Sequence, residues 1–146
     1  YRMTNLQAAV GVAQMEMLDQ LVAAKHRIRA SYDAAFQDLP GIRLFPDPEW
    51  AESACWFSGV VFDSPKPGLL EVTRRKLRHA RIDARPFWQP MHRQLPFAYA
   101  PRALTGVSEF LKDAILTLPC STGLSEIDQE TVIQATFDIL QKTLES

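Results

Sequence analysis

The sequence predicts an α+β fold: a small, mainly antiparallel sheet covered by helices, entered through a long N-terminal linking helix. Three observations predict it. Apolar residues from Leu6 to Leu39 recur at close to the helical period. The run Cys55 to Phe62 is apolar on both faces and rich in aromatic and β-branched residues, as a central strand is. The elements also follow one another as helix, strand, strand, helix, strand, helix, helix, which suits a helix-covered antiparallel sheet. With 146 residues the chain is one domain's worth, able to bury roughly two-thirds of its unfolded surface.

The first helix starts at Thr4, an N-cap with Gln7 three residues on to complete a capping box. Its apolar row is Leu6, Val10, Ala13, Met17, Leu21, Ala24, Ile28, Tyr32, Ala35 and Leu39, and Pro40-Gly41 stops it. A straight helix of that length would be on the order of 50 Å long. A compact domain of this size has a radius of gyration of only about 15 Å. The helix therefore either breaks, with Met17-Leu18 the expected place, or reaches beyond its own domain. Ala8, Val12 and Met15 make a second apolar row in its first half, with Gly11 between the rows. That half reads as buried on two sides, against another domain or another subunit. The expected division is residues 1–38 as a linking helix and 39–146 as the α+β domain.

Ile42 to Phe45 reads as a short strand ended by Pro46, followed by a polar loop around Trp50. After the central strand, Ser64-Pro65-Lys66-Pro67-Gly68 turns into a helix with Leu70, Thr73, Leu77 and Ala80 on its apolar side. Arg74, Arg75, Lys76, Arg78 and Arg81 cluster on that helix. Five cations invite a phosphate-binding reading, yet they lie toward the C-terminal half, where the helix dipole favours cations in any case. A solvated face is the expectation. Ile82 to Arg85 forms a strand running into a proline loop. Ser108 to Leu116 makes a short helix, and Leu118-Pro119 a short extended piece. Ser125, with Asp128 in the first turn, caps a last helix whose apolar side is Val132, Ile133, Ala135, Phe137, Ile139, Leu140 and Leu144.

Composition narrows the function classes. Hydrophobic content of 47% and charged content of 23% are globular values. A net charge of −1 argues against a dedicated nucleic-acid binder, which would be basic. Cys55 and Cys120 lie in apolar surroundings without metal spacing and read as reduced, buried thiols. No run of 18 apolar residues and no signal peptide is present, so the expected location is the cytoplasm, away from membranes. The chain opens on Tyr1 and enters a helix almost at once, as a piece of a longer protein would, although processing gives the same start.

The stretch with the most chemistry is Arg85-Pro86-Phe87-Trp88-Gln89-Pro90-Met91-His92. Two prolines four apart forbid a regular helix or an interior strand. Rigid irregular backbone carrying two large aromatics, an amide, a thioether and an imidazole suits a pocket rim. The plainer reading is a loop whose aromatics cap the core. No G-x-S-x-G, Walker loop, Rossmann glycine pattern or H-E-x-x-H occurs, and no metal-ligand set. His26 and His79 read as surface residues. Lys25, Lys66, Lys76, Lys112 and Lys142 all fall on polar helix faces or in a turn, where an ammonium stays protonated and non-nucleophilic. No residue of this chain is assigned a catalytic role.

Two stretches carry a family resemblance. Tyr1-Arg2-Met3-Thr4-Asn5-Leu6-Gln7-Ala8-Ala9, followed by Gly11 and Gln14, closely resembles the Y-R-M-[TS]-[ND]-[LI]-Q-A-A signature of the DegT/DnrJ/EryC1/StrS family. The proline loop is similar to that family's R-P-x-[WFY]-x-P-[LM]-H. Weaker agreement runs through Leu39-Pro40-Gly41, Leu118-Pro119 and Gly123-Leu124-Ser125. Members are pyridoxal-phosphate-dependent aminotransferases acting on nucleotide-linked keto-sugars, for cell-surface polysaccharide or glycoconjugate synthesis. The resemblance implies a C-terminal small domain of a fold-type I transferase, with the Schiff-base lysine and most of the pyridoxal 5'-phosphate site upstream of Tyr1. It further implies a nucleotide-diphosphate keto-sugar as substrate, L-glutamate as amino donor and a homodimer. The residues carried over are Arg2, Phe87, Trp88, Gln89, Met91 and His92, on the substrate side. Guanidinium suits phosphate oxygens, an indole can pack on a sugar face, and an imidazole can bond a hydroxyl. Gln89 stands where many members have a second aromatic, which leaves the sugar unidentified. A non-catalytic binding or dimerisation module, or a dehydratase of the same family, are the other readings.

Overall fold

The computed structural model describes residues 2–144, so Tyr1 and the last two residues of the expected 39–146 domain lie outside it. The long helix is two helices, α1 (Asn5–Glu16) and α2 (Leu18–Phe36). The break falls at Met17, as expected, where φ is −104° and ψ is 0° and the amide turns back to the Gln14 carbonyl at 3.2 Å. The Thr4–Gln7 capping box forms, with the Thr4 amide donating to Gln7 Oε1 at 2.9 Å. No residue of α1 is buried. By contrast, α2 sends Ile28, Tyr32 and Phe36 into the main core. Of the two alternatives for the long helix, the break is present, and the first half stands clear of the main core.

Four strands make one antiparallel sheet in the order β1-β2-β4-β3: β1 (Ile42–Arg43), β2 (Ser58–Phe62), β3 (Arg85–Pro86) and β4 (Ile115–Leu118). The central-strand expectation for the Cys55–Phe62 run holds for β2, all five residues of which are buried. Its first three residues stay outside the ladder. Cys55 takes a left-handed φ of 49°, which turns the chain before the strand begins. The expected helix over Ser108–Leu116 is corrected: α4 runs from Val107 to Ala114, and Ile115 starts a strand. The run Ile115-Leu116-Thr117-Leu118 follows the helix without a breaker, so its apolar pattern fits either period. Pairing with β2 on one side and β3 on the other decides for strand. The expected strands over Ile42–Phe45 and Ile82–Arg85 are likewise corrected, to Ile42–Arg43 and Arg85–Pro86. Pro86 is tolerated in the ladder because β3 is an edge.

Period-two alternation gives the sheet two faces. Val60, Phe62, Leu116 and Leu118 point into the main core, against α2, α3 (Leu69–His79) and α5 (Glu126–Leu144). Tyr32, Phe36, Phe62, Leu77 and Leu140 are sealed there, each contributing about 1.5–3 kcal/mol by burial. Val61 and Ile115 point to the opposite face, where Ala114, Leu111, Phe45 and Phe87 form a smaller cluster. The proline loop is attached on that second face. Gly59 also allows β2 and β4 to close up: a Cβ there would lie 2.1 Å from the Leu116 carbonyl oxygen.

Buried polar groups stitch the layers together. Tyr32 Oη donates to the Pro119 carbonyl at 2.7 Å, and Gln129 Nε2 to the Ile28 carbonyl at 2.8 Å. Arg29 is buried, donates to Asp33 Oδ2 at 2.6 Å and lies over the Phe45 ring at 5.3 Å. The basic helix is mostly a solvated face, as expected: Arg75, Lys76, Arg78 and Arg81 are exposed, while Arg74 pairs with Glu71 at 2.8 Å. Among the described residues no helix is long and apolar enough to cross a membrane.

Candidate functional site

The site candidates follow directly from edge strand β3. Thr117 Oγ1 donates to the Arg85 carbonyl at 3.1 Å, which fixes the chain just before it leaves the sheet. Buried Pro90 then anchors the middle of the loop. Two short 3-10 turns, Met91–Arg93 and Leu95–Phe97, follow. Gln94 Nε2 reaches back to the Gln89 carbonyl at 3.0 Å, closing the loop on itself. As expected, neither proline is in a helix or an interior strand: Pro86 lies in edge strand β3 and Pro90 precedes the first turn.

The six residues carried over from the sequence separate into distinct places. Phe87 is half-buried in the smaller cluster and packs edge-on to Trp88, with ring centroids 4.9 Å apart. Trp88 keeps 56% of its surface exposed. Its ring contacts Phe57 at 4.9 Å and Trp56 at 5.7 Å, both from the segment ahead of β2. Gln89 and Met91 are exposed. His92 turns away from solvent, with Nε2 2.6 Å from Glu109 Oε1 and side-chain exposures of 14% and 25%. Nε2 is buried, and its approach to Glu109 is an ion-pair contact with no further hydrogen-bond partner among the described residues. Arg2 is exposed ahead of α1, without an ion pair among the described residues.

Glu109 is the residue that sequence reasoning missed. It lies on α4, and a hydrogen bond from its own amide holds its carboxyl below the usual range, helped by the Ser108 hydroxyl and by His92. A carboxylate that fixes one imidazole nitrogen leaves the other available to a ligand. Beside the pair is a cavity of about 280 Å³, lined by Met91, His92, Phe97, Arg102 and Leu104 among others. This corner can position a polar group by hydrogen bonding. It offers no nucleophile paired with a base.

One of the five lysines, Lys25, is not on a solvated face as expected. Lys25 is half-buried, and its ammonium donates to the carbonyls of Trp56 at 2.9 Å and Cys120 at 2.5 Å. His26 is also half-buried, with Nε2 2.7 Å from the Ser53 carbonyl oxygen. Periodicity put both on the polar side of the helix, but the loop before β2 folds over that side. Among the described residues, no cluster of three His, Cys, Asp or Glu side chains could hold a metal.

The sequence profile of the DegT/DnrJ/EryC1/StrS aminotransferase family matches residues 1–137. The chain belongs to the DegT/DnrJ/EryC1/StrS aminotransferase family. It is 32% identical over 140 residues to EpsN of Bacillus subtilis, covering 92% of this chain and 35% of EpsN. It is 30% identical over 141 residues to the GDP-perosamine synthase of Caulobacter vibrioides, covering 96% of this chain and 38% of that protein. In structure it resembles the aminotransferase TlmJ from Streptoalloteichus hindustanus, with a TM-score of 0.81 at 26% identity, over 93% of this chain and 36% of TlmJ. The chain spans just over a third of the length of these relatives.

Pyridoxal phosphate, the cofactor of this family, needs a lysine amine free to bond its carbonyl carbon. The described lysines do not fit it. Lys25 is spent on two carbonyls, Lys76 donates to Thr143 Oγ1 at 2.8 Å and Lys112 pairs with Asp113 at 2.8 Å. Lys66 is exposed in the turn before α3 and Lys142 on the last turn of α5. No step through the cofactor is built from these residues.

Proposed function

We propose that this chain serves as the C-terminal portion of a pyridoxal-phosphate-dependent aminotransferase that converts a nucleotide-linked keto-sugar to an amino-sugar. Membership of the aminotransferase family over residues 1–137 is the observation that carries this reading. The product would serve cell-surface polysaccharide or glycoconjugate synthesis, with L-glutamate as the amino donor and a cytoplasmic homodimer as the working form. The cofactor, when bound, supplies the electron sink for moving the amino group. Its lysine would come from outside this chain.

The residues of this chain would act on the sugar side. Trp88 offers an exposed indole face, His92 a ring held by Glu109, and Gln89 and Met91 exposed contacts on the same loop. Phe87 would hold Trp88 from behind, and Arg2 would reach phosphate oxygens. Residues 1–38 would link two domains, α1 as the part that reaches out and α2 as the part anchored in the 39–146 domain.

The test is amino transfer by the complete protein carrying this chain. Purified with pyridoxal phosphate and glutamate, it is expected to aminate a nucleotide-linked 4-keto or 3-keto hexose while releasing 2-oxoglutarate. Continued turnover of glutamate to 2-oxoglutarate, beyond one equivalent per bound cofactor and with no nucleotide-sugar acceptor, or loss of a hydroxyl from the sugar without amination, would overturn the reading.

A further inference from the structure

Trp56 sits next to a buried strand, yet 67% of its surface is exposed. Strand alternation alone would have placed it in the sheet. Instead the left-handed turn at Cys55 swings it out. Its backbone is then fixed from two sides: the Lys25 ammonium from α2 donates to its carbonyl at 2.9 Å, and the Cys120 thiol beyond β4 approaches the same oxygen at 3.6 Å. Those contacts hold the residue's backbone without covering its ring.

The ring meets the substrate loop. The Trp56 and Trp88 centroids are 5.7 Å apart with planes tilted by 35°, and Phe57 touches both, at 4.5 Å and 4.9 Å. Two indoles from separate segments thus share one backing phenyl and keep more than half of their surfaces open. Exposed aromatic faces held in place are what flat rings stack on. Stacking is worth about 1–3 kcal/mol per base and is tolerant of base identity. A pyranose presents a comparable flat face of C–H groups.

Resting on the reading proposed above, we propose that Trp56 contacts the substrate: with Trp88 it forms an indole platform that takes a flat ring of the nucleotide-sugar, either its base or its pyranose. The platform joins two segments of chain, so Trp56 belongs to the binding site although it lies far from the proline loop in sequence.

The test uses the complete enzyme with Trp56→Leu and Trp56→Phe. Trp56→Leu is expected to raise KM for the keto-sugar nucleotide about tenfold, leaving KM for glutamate and the melting temperature unchanged. Trp56→Phe should lose less. Calorimetric titration with GDP, UDP and dTDP, and with GDP-mannose, UDP-glucose and dTDP-glucose, identifies the ring. Loss confined to the sugar conjugates assigns the pyranose, and equal loss with the bare diphosphates assigns the base. Normal sugar KM in an enzyme that does transfer amino groups would overturn this proposal alone. Absence of amino transfer by the unmodified enzyme would instead overturn the aminotransferase reading. If Trp56→Leu fails to fold, Trp56→Phe decides, and an unchanged sugar KM there rejects the platform.

Discussion

Glu109 Oε1 lies 2.6 Å from His92 Nε2, so a residue on α4 sets the orientation of the one histidine in the proline loop. The contact ties the far end of the loop to the helix that feeds directly into β4. In the complete protein His92→Ala is expected to lower kcat/KM for the sugar by roughly three- to tenfold, the equivalent of one lost hydrogen bond of about 0.5–1.5 kcal/mol. Trp88→Ala should cost more, because a packing face goes with it. The glutamate half-reaction should be unchanged in both. Glu109→Ala should reproduce the His92 effect, and Glu109→Asp part of it. Normal sugar kinetics in His92→Ala and Trp88→Ala, or melting of the domain before activity falls, would make the loop structural.

Tyr32 gives a pH-dependent stability with a definite sign. Burial, with Cys120 nearby adding to it, pushes the phenol well above its ordinary value of 10.0. The folded state therefore holds this proton more tightly than the unfolded state does. The contribution is fully present below about pH 10 and is lost as pH rises beyond it. Tyr32→Phe also leaves the Pro119 carbonyl without its donor and should cost about 1–3 kcal/mol at neutral pH. Urea unfolding at pH 7 and pH 11 should show the gap between the two proteins narrowing at the higher pH. A gap that stays constant would count against this reading.

At Gly59 the limit is steric. A methyl group there would overlap the Leu116 carbonyl oxygen and press on the Thr117 Cα at 2.9 Å, both backbone atoms of the paired strand. Gly59→Ala should destabilise the domain by about 1–3 kcal/mol through overpacking. The urea midpoint should fall with the m-value unchanged. A midpoint equal to that of the parent would show that the two strands separate more easily than their register implies.

The surface of α1 is open and rich in apolar side chains. Leu6 is 77% exposed, Val10 56% and Met15 67%, so apolar side chains face solvent around the helix. Apolar surface of this extent marks interaction sites or aggregation. The chain by itself is expected to self-associate above micromolar concentration, and Val10→Glu to suppress it. Light scattering that shows a strict monomer well above that concentration would be against the idea. Gly11 adds an independent check, since nothing lies within 4 Å of an added Cβ. Gly11→Ala should stabilise α1 in the isolated chain by up to about 1 kcal/mol.

Elements that rest on local chemistry were legible in the order of the residues alone. Thr4 with Gln7, and Ser125 with Asp128, start helices because a side-chain oxygen satisfies a free amide within one turn, a relation between residues three apart. The apolar run of β2 marked a strand buried on both faces, and the family signature was readable residue by residue. The tertiary structure alone decided whatever depends on partners distant along the chain. Ile115 to Leu118 suits helix or strand equally until β2 and β3 offer backbone hydrogen bonds on both sides. Lys25 lies on the polar side of its helix and is nonetheless taken up by carbonyls 31 and 95 residues away. The pairing of Trp56 with Trp88, and of His92 with Glu109, arises because the sheet order places β4 between β2 and β3, with the loop and α4 packed on one face. Periodicity assigns a residue to a side of its own element, and what covers that side is set by how the elements pack.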